Sequence, residues 1–223
     1  MKFILNNFII ILFFISSPVY SESFYKKYSI KTSGLKIGEL VWVVEIDNNN
    51  YSNDIKLYSR GLLSTIYKFK GDYFSEGKIE KNKLTPHNYK HVWKTNKTEK
   101  SMNLGFENNM LSSLFQTPHE KEKLRIDVFN TRGAKDPLSS FLEIIMGETS
   151  SSVVDGRRAY TMNAKFNKKE NKTIINISDY SNLWADHKRS KFEKISFEKK
   201  DGFLLPIKII IHFDERVFKL EQS

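Results

Sequence analysis

From Tyr25 onward the apolar residues of the chain repeat with a period of two rather than 3.6. Met102, Leu104 and Phe106 alternate with Asn103 and Gly105, and Leu124, Ile126 and Val128 alternate with Arg125 and Asp127. Tyr160, Met162, Ala164 and Phe166 form a third set, and Ile207, Ile209, Ile211 and Phe213 a fourth. Successive side chains of a strand point to opposite faces, so each set describes a sheet with one apolar face. Sheets wetted on one side are antiparallel, because parallel ones are covered on both. Turn residues fall between the sets: Asn48-Asn49-Asn50, Gly71-Asp72, Asp155-Gly156, Asp201-Gly202 and Asp214-Glu215-Arg216. The Asp201-Gly202 pair predicts a hairpin between the run around Ile195 and Phe197 and a strand beginning at Phe203. The pattern predicts about a dozen strands, in a large curved antiparallel sheet or an open β-barrel.

One segment departs from this period. Asp136 suits an N-cap, Pro137 the first helical position and Gly147 the C-terminal stop. Between them Leu138, Phe141, Leu142 and Ile145 fall at i, i+3, i+4 and i+7, so one amphipathic helix runs from Pro137 to Met146. A lone amphipathic helix buries its apolar face against the sheet, where it plugs a barrel mouth or covers a cavity.

The first twenty residues have another logic. Lys2 precedes the apolar run Phe8–Ile15, Ser16, Ser17 and Pro18 break it, and Val19 and Ser21 occupy the small-residue positions of a cleavage site. This order predicts a signal peptide over residues 1–21, cut after Ser21, and one exported domain over 22–223. The run is shorter than the roughly 20 residues that span a bilayer, and a lipid-modified N-terminus needs a cysteine that the chain lacks, so no stable membrane anchor is expected. The absence of cysteine also excludes thiol chemistry and thiolate metal sites, while about 200 residues can bury a core without disulfides. Lys and Arg number 36 against 26 Asp and Glu, a net charge of +10. These cations are scattered singly, and the accompanying richness in Asn and Ile points to base composition more than to a polyanion partner. Nucleic acid is not expected, since no recognition module is present.

Short motifs along the chain resemble an uncharacterised family of exported bacterial proteins, DUF3108. They run from Gly34-Leu35-Lys36-Ile37-Gly38 through Gly77-Lys78-Ile79 and Leu84-Thr85-Pro86-His87-Asn88-Tyr89 to Asp136-Pro137-Leu138-Ser139. They continue with Asp155-Gly156-Arg157-Arg158 and Tyr160, and close with Leu205-Pro206-Ile207-Lys208-Ile209. The resemblance implies a periplasmic, mostly antiparallel β protein, similar in kind to open barrels that carry lipids or lipoproteins. Some members carry cysteines in the second half, and this chain has none, which sets aside any role tied to a disulfide.

Chemistry-bearing candidates are few. His87 and His91 stand four apart in a segment whose alternation is that of a strand, with 87, 89, 91 and 93 on one face. Two imidazoles so spaced do not chelate easily, no third ligand is near, and His119, His187 and His212 are isolated, so no metal is expected. No serine sits in a Gly-x-Ser-x-Gly elbow, Asp186-His187 lies in a charged loop, and Glu120 and Glu122 alternate with lysines as on a surface. No cofactor and no catalytic group is expected. Asp136, Asp155 and Arg157 would form a polar cluster in a groove or, more simply, a cap and a tight turn. Aromatics such as Trp42, Trp93, Phe106, Tyr160, Phe166 and Trp184 fall mostly on the apolar phase and should pack in the core. An open barrel closed by one helix leaves room for an aromatic-lined cavity of several hundred cubic ångströms. On this reading Trp93, Phe106, Leu138, Phe141, Leu142, Ile145, Tyr160 and Met162 would hold a lipid-like ligand between sheet and helix, with lysines at the rim meeting an anionic head group. The protein is then expected to be a monomeric, non-enzymatic periplasmic binder. The alternatives are a scaffold acting through its surface and, behind it, a hydrolase of envelope polymers.

Overall fold

A computed structural model describes residues 21–61, 64, 68–81, 83–184 and 192–223. The expected leader, up to residue 20, and the Asp186-His187 loop lie outside the described residues.

Among the described residues thirteen strands form one antiparallel sheet. The first seven are β1 (Ser21–Thr32), β2 (Leu35–Asp47), β3 (Asn50–Ser59), β4 (Phe69–Glu80), β5 (Lys83–Thr95), β6 (Glu99–Glu107) and β7 (Met110–Thr117). After the helix α1 (Pro137–Ile145) come β8 (Ser150–Val154), β9 (Arg158–Asn167), β10 (Lys172–Asn182), β11 (Phe192–Glu198), β12 (Lys208–Phe213) and β13 (Arg216–Gln222). Each strand pairs with its neighbour in sequence, except that β1 pairs with β13 and joins the two meanders, leaving β7 and β8 as the edges. The curved sheet is therefore open, and the chain crosses from one edge to the other through α1. Two-residue turns with positive φ close three hairpins, at Ser33-Gly34, Asn108-Asn109 and Asp214-Glu215. That geometry matches the right-handed twist of the flanking strands and suits Gly, Asn and Asp.

The helix is capped as its sequence demands. The Asp136 carboxylate accepts from the amides of Leu138 (2.9 Å) and Ser139 (3.0 Å), Pro137 fills the first position, and Gly147 takes φ +122° beyond the end. Its enclosure goes further than an apolar stripe requires. Leu138, Leu142 and Ile145 are buried, and so are Ser139, Ser140, Ile144 and Glu143 (2% exposed). Polar bonds make this possible: Tyr51 Oη to Ser139 Oγ (2.6 Å), Asn53 Nδ2 donating to the Leu138 carbonyl (3.2 Å), and Trp42 Nε1 donating to Asn53 Oδ1 (2.7 Å). Glu143 accepts from the Leu84 amide (3.0 Å) and pairs with Lys135, while Lys199 Nζ donates to the Ile145 carbonyl (2.9 Å) at the C-terminus. Buried polar groups are tolerated only when paired in this way.

Several expectations are corrected. Gly71-Asp72 is not a turn but part of β4; a Cβ at Gly71 would stand 2.8 Å from the Tyr73 ring and 3.0 Å from that of Trp93, so the glycine makes room for rings. Leu124 to Val128 forms no strand: it crosses the open side of the sheet, with the Arg125 amide bonded to the Leu183 carbonyl and Val128 buried in a short 3-10 turn. Alternation there has no neighbouring strand to pair with. The strand after Asp201-Gly202 begins at Lys208 rather than Phe203, because Pro206 has no amide to give a ladder. Phe166 is 55% exposed at the far end of β9, not in the core. Finally, a bulge where Glu76 pairs with Asn88 but Gly77 with Pro86 leaves His87 as the extra residue, so the face changes there. Leu84 and Pro86 point inward before it, Tyr89 after it, and His87 is exposed.

Candidate functional site

The concave space between sheet and helix is filled. Phe141 stacks on Trp42 (centroids 5.7 Å, 17°) and meets Phe197 edge-on (5.8 Å, 85°), while Leu142, Ile145 and Met162 are core residues. The ligand expected between α1 and the sheet thus has no volume there. The open volume that borders α1 lies instead at its two ends.

At the helix N-terminus a groove of ≈ 400 Å³ is bounded by Tyr73 from β4, His91 and Trp93 from β5, Met102 from β6, Leu138 from α1 and Tyr160 from β9. Tyr89 lies at its floor, and Lys100, Arg157 and Arg158 carry positive charge around it. The bulge at His87 is what delivers this set, because it brings Tyr89 and His91 onto the concave side. Rings are stiffened by rings outside the groove: Trp93 stacks on Phe69 (5.4 Å, 10°) and Tyr160 on Tyr180 (6.1 Å, 19°). The Asp155-Gly156 turn sets the rim. Asp155 Oδ1 accepts from the amides of Arg157 (2.8 Å) and Arg158 (2.7 Å), and Gly156, at φ +85°, lies against the Met102 side chain where a Cβ would collide. Trp184 Nε1 donates to the Gly156 carbonyl (3.1 Å) and locks the turn from behind.

Electrostatics follow from this burial. Desolvation pushes the His91 imidazole down to about 4, with the Arg157 charge adding to the effect, so His91 is neutral at pH 7 and shares a hydrogen bond with Tyr89 Oη (3.1 Å). Burial raises the Tyr73 phenol to about 12 and those of Tyr89 and Tyr160 well above their ordinary value. The floor is thus aromatic and uncharged. Burial also raises Asp155, against the pull of the Arg158 charge, the two amides and the Arg157 charge. Among the described residues the guanidinium of Arg157 and the ammonium of Lys100 make no ion pair and no hydrogen bond.

A larger and more polar cleft, ≈ 890 Å³, lies at the other end of the helix, where Lys81, Lys83, Arg132 and Lys135 mix with Glu80, Glu143 and Glu148. Among the described residues no group of three His, Cys, Asp or Glu is placed to hold a metal. No helix among them is long and apolar enough to cross a membrane.

Of the residues singled out in the sequence, Trp93, Leu138 and Tyr160 line the groove, with Pro137, Asp155 and Arg157 beside them. Leu142, Ile145 and Met162 belong to the core, Phe141 packs against it, and Phe106 is buried, bordering a different cleft with His87. Asp136 is wholly buried, its carboxylate bonded to Ser75 Oγ (2.9 Å) and to Ser139. Asp136 is thus the helix cap, and its polar partners are Ser75 and Ser139 rather than Asp155 and Arg157 in a groove. Missed were Tyr73, His91, Lys100, Met102 and Arg158. The alternation Tyr89, His91, Trp93 was the one signal that marked this wall.

Fold and groove define an open, barrel-like β protein whose interior is plugged by its own helix and whose concavity survives at the mouths. The family model described as "protein of unknown function (DUF3108)" matches residues 27–198, more than half of the chain, and the chain belongs to that family. Among solved structures it is similar to a beta-barrel-like protein of domain of unknown function DUF1849 from Brucella abortus, at 12% identity and TM-score 0.48, over 92% of this chain and 96% of that one. No curated protein matches.

Proposed function

We propose that the protein is a non-enzymatic, periplasmic binding protein that holds a compact amphipathic anion in the groove at the N-terminus of α1. The observation that carries this reading is the meeting of two cations, Lys100 and Arg157, that make no side-chain hydrogen bond or close ion pair among the described residues, with a rigid aromatic floor. Binding sites for small molecules are mostly apolar and preformed, with a few placed polar groups. Burying about 100 Å² of apolar ligand surface would contribute about 2.5 kcal/mol. Each charge-assisted bond to the anion would add about 1.5–3 kcal/mol. The ligand must be ring-sized or short-chained, because the core beneath the groove has no channel for a long acyl tail. Export is the setting that the leader-like N-terminus supports.

The first test is native mass spectrometry of the mature protein purified from an envelope extract, followed by organic extraction. The second uses Trp93, the half-buried tryptophan of three, as a fluorescent reporter, titrating octyl phosphate against octanol. The phosphate should quench at roughly tenfold lower concentration than the alcohol, Arg157→Ala should reduce that preference, and Arg157→Ala combined with Lys100→Ala should abolish it. If the protein purifies free of any ligand and neither probe quenches, the reading is wrong.

A further inference from the structure

The edge strand β7 carries a second message, independent of the groove. Of the described strands only β7 and β8 lack a charged side chain, and they are the two edges of the sheet. Edges are normally guarded by lysine, proline, a β-bulge or a cover, since their free amides and carbonyls template further pairing. The β8 edge has its cover: the Lys135 amide bonds to the Ser152 carbonyl (2.9 Å) and the Val154 amide to that of Lys135 (2.8 Å). β7 has none. Among the described residues no backbone hydrogen bond reaches Met110–Thr117 other than those of β6, although the Val128–Asn130 turn packs nearby. Phe115, on this strand, is 67% exposed, the most exposed large apolar side chain among the described residues.

The sequence of β7 says what fits there. Met110-Leu111-Ser112-Ser113-Leu114-Phe115 reads apolar, Leu, Ser, Ser, Leu, apolar, which is the same from either end. An antiparallel two-fold pairing centred between Ser112 and Ser113 sets Leu111 opposite the partner's Leu114. It also sets Ser112 opposite the partner's Ser113, and Met110 opposite the partner's Phe115. The faces agree as well. A bulge, with Gly105 paired to Ser113 but Phe106 to Leu111, makes Ser112 the extra residue. A Cβ on Gly105 would meet both serine hydroxyls, at 2.5 Å for Ser113 and 3.2 Å for Ser112, so both serines lie on the convex side. Leu111 and Leu114 then share the concave side, and Met110 and Phe115 the convex one. Without the bulge, residues three apart such as Leu111 and Leu114 would lie on opposite faces, and a two-fold pair would set leucine against leucine across the sheet.

We propose that β7 is a self-association edge, through which two copies of this chain pair antiparallel and continue one sheet into the other. A second copy is favoured over an unlike partner by this two-fold self-complementarity, the mark of an isologous interface. Two chains of net charge +10 repel each other, and β7 limits that cost because it is a strip on which they meet without opposing lysines. The contact is small, so the association is weak, with a dissociation constant in the range of about 10–100 µM. This departs from the monomer expected from the sequence.

The test is sedimentation equilibrium of the mature protein up to about 200 µM, spanning the weak regime of a small interface. The wild type should approach twice its monomer mass, and Phe115→Lys should weaken association by roughly tenfold or more. The register is read separately. The chain has no cysteine, so Ser112→Cys and Ser113→Cys variants mixed in equal amounts under mild oxidation should form the mixed disulfide in preference to either homodimer. A wild type that stays monomeric throughout overturns the proposal. So does a dimer indifferent to Phe115→Lys, or cysteine variants that cross-link without preference for the mixed pair.

Discussion

Removing the Asp136 carboxylate should cost far more than removing its charge. The side chain is fully buried and accepts four hydrogen bonds, from the amides of Leu138 and Ser139 and the hydroxyls of Ser75 and Ser139. In Asp136→Ala the two hydroxyls keep other partners, since Ser75 and Ser139 lie 2.8 Å apart and Ser139 bonds Tyr51. The two amides keep none. Loss of the cap costs about 1 kcal/mol, and leaving buried donors unsatisfied adds about 1–3 kcal/mol. Burial raises the Asp136 pKa, so the carboxylate is itself held at a cost, which offsets part of the loss. About 3 kcal/mol remains, or roughly 6–12 °C in Tm for a chain of this size. Asp136→Asn keeps an oxygen for the cap and presents its amide to serine hydroxyls able to accept, so about 1 kcal/mol or less is expected. Urea unfolding followed by far-UV circular dichroism, with an unchanged slope, measures both. If Asn costs as much as Ala, the charge rather than the cap holds this end of the helix and the reasoning fails.

Two further outcomes follow from the same structure. His91 is pushed down to about 4 by burial, below the roughly 6.5 of the unfolded chain, so the unfolded state binds its proton first. Its contribution is present above pH 6.5 and is lost as pH falls toward 4. The loss is about 2 kcal/mol by pH 5 before any allowance for partial exposure and on the order of 1 kcal/mol after it, and urea midpoints at pH 7 and 5 should converge in His91→Gln. Buried Asp136 and Asp155, both raised, act in the opposite sense, gaining relative stability as pH falls through the range above their unfolded values. Gly77→Ala should destabilise by about 2–3 kcal/mol, because its Cβ would collide with the Thr85 carbonyl and Pro86 Cα at the bulge, and backbone atoms cannot give way. A Tm within one degree of wild type would show that the strands separate there at little cost.

The local pattern carried most of the secondary structure. Alternation in β6, β9 and β12, positive-φ turns of Asn, Asp and Gly, and the Asp136-Pro137 start with its Gly147 stop are each decided within a few residues, by side-chain direction or by allowed φ. The groove was legible only in fragments. Trp93, Leu138, Tyr160 and Arg157 were marked by phase or motif, yet nothing local could say that they meet, since they come from β5, α1, β9 and a turn.

What the tertiary structure alone decided is where alternation stops meaning what it says. A single extra residue at His87 exchanged the faces of β5, leaving one histidine exposed and turning the other, half-buried, into the groove, because a side-chain period of two turns any slip of one into a reversal. Gly71 reads as a turn until the Tyr73 and Trp93 rings claim its space. Leu124–Val128 keeps a strand's pattern without a strand's neighbour, and Ser140 and Glu143 are buried because the sheet wraps the helix and supplies partners. Period and turn chemistry are properties of neighbours in the chain. Burial, pairing and the space left over at the helix ends are properties of neighbours in space, and those exist only once the sheet has curved around α1.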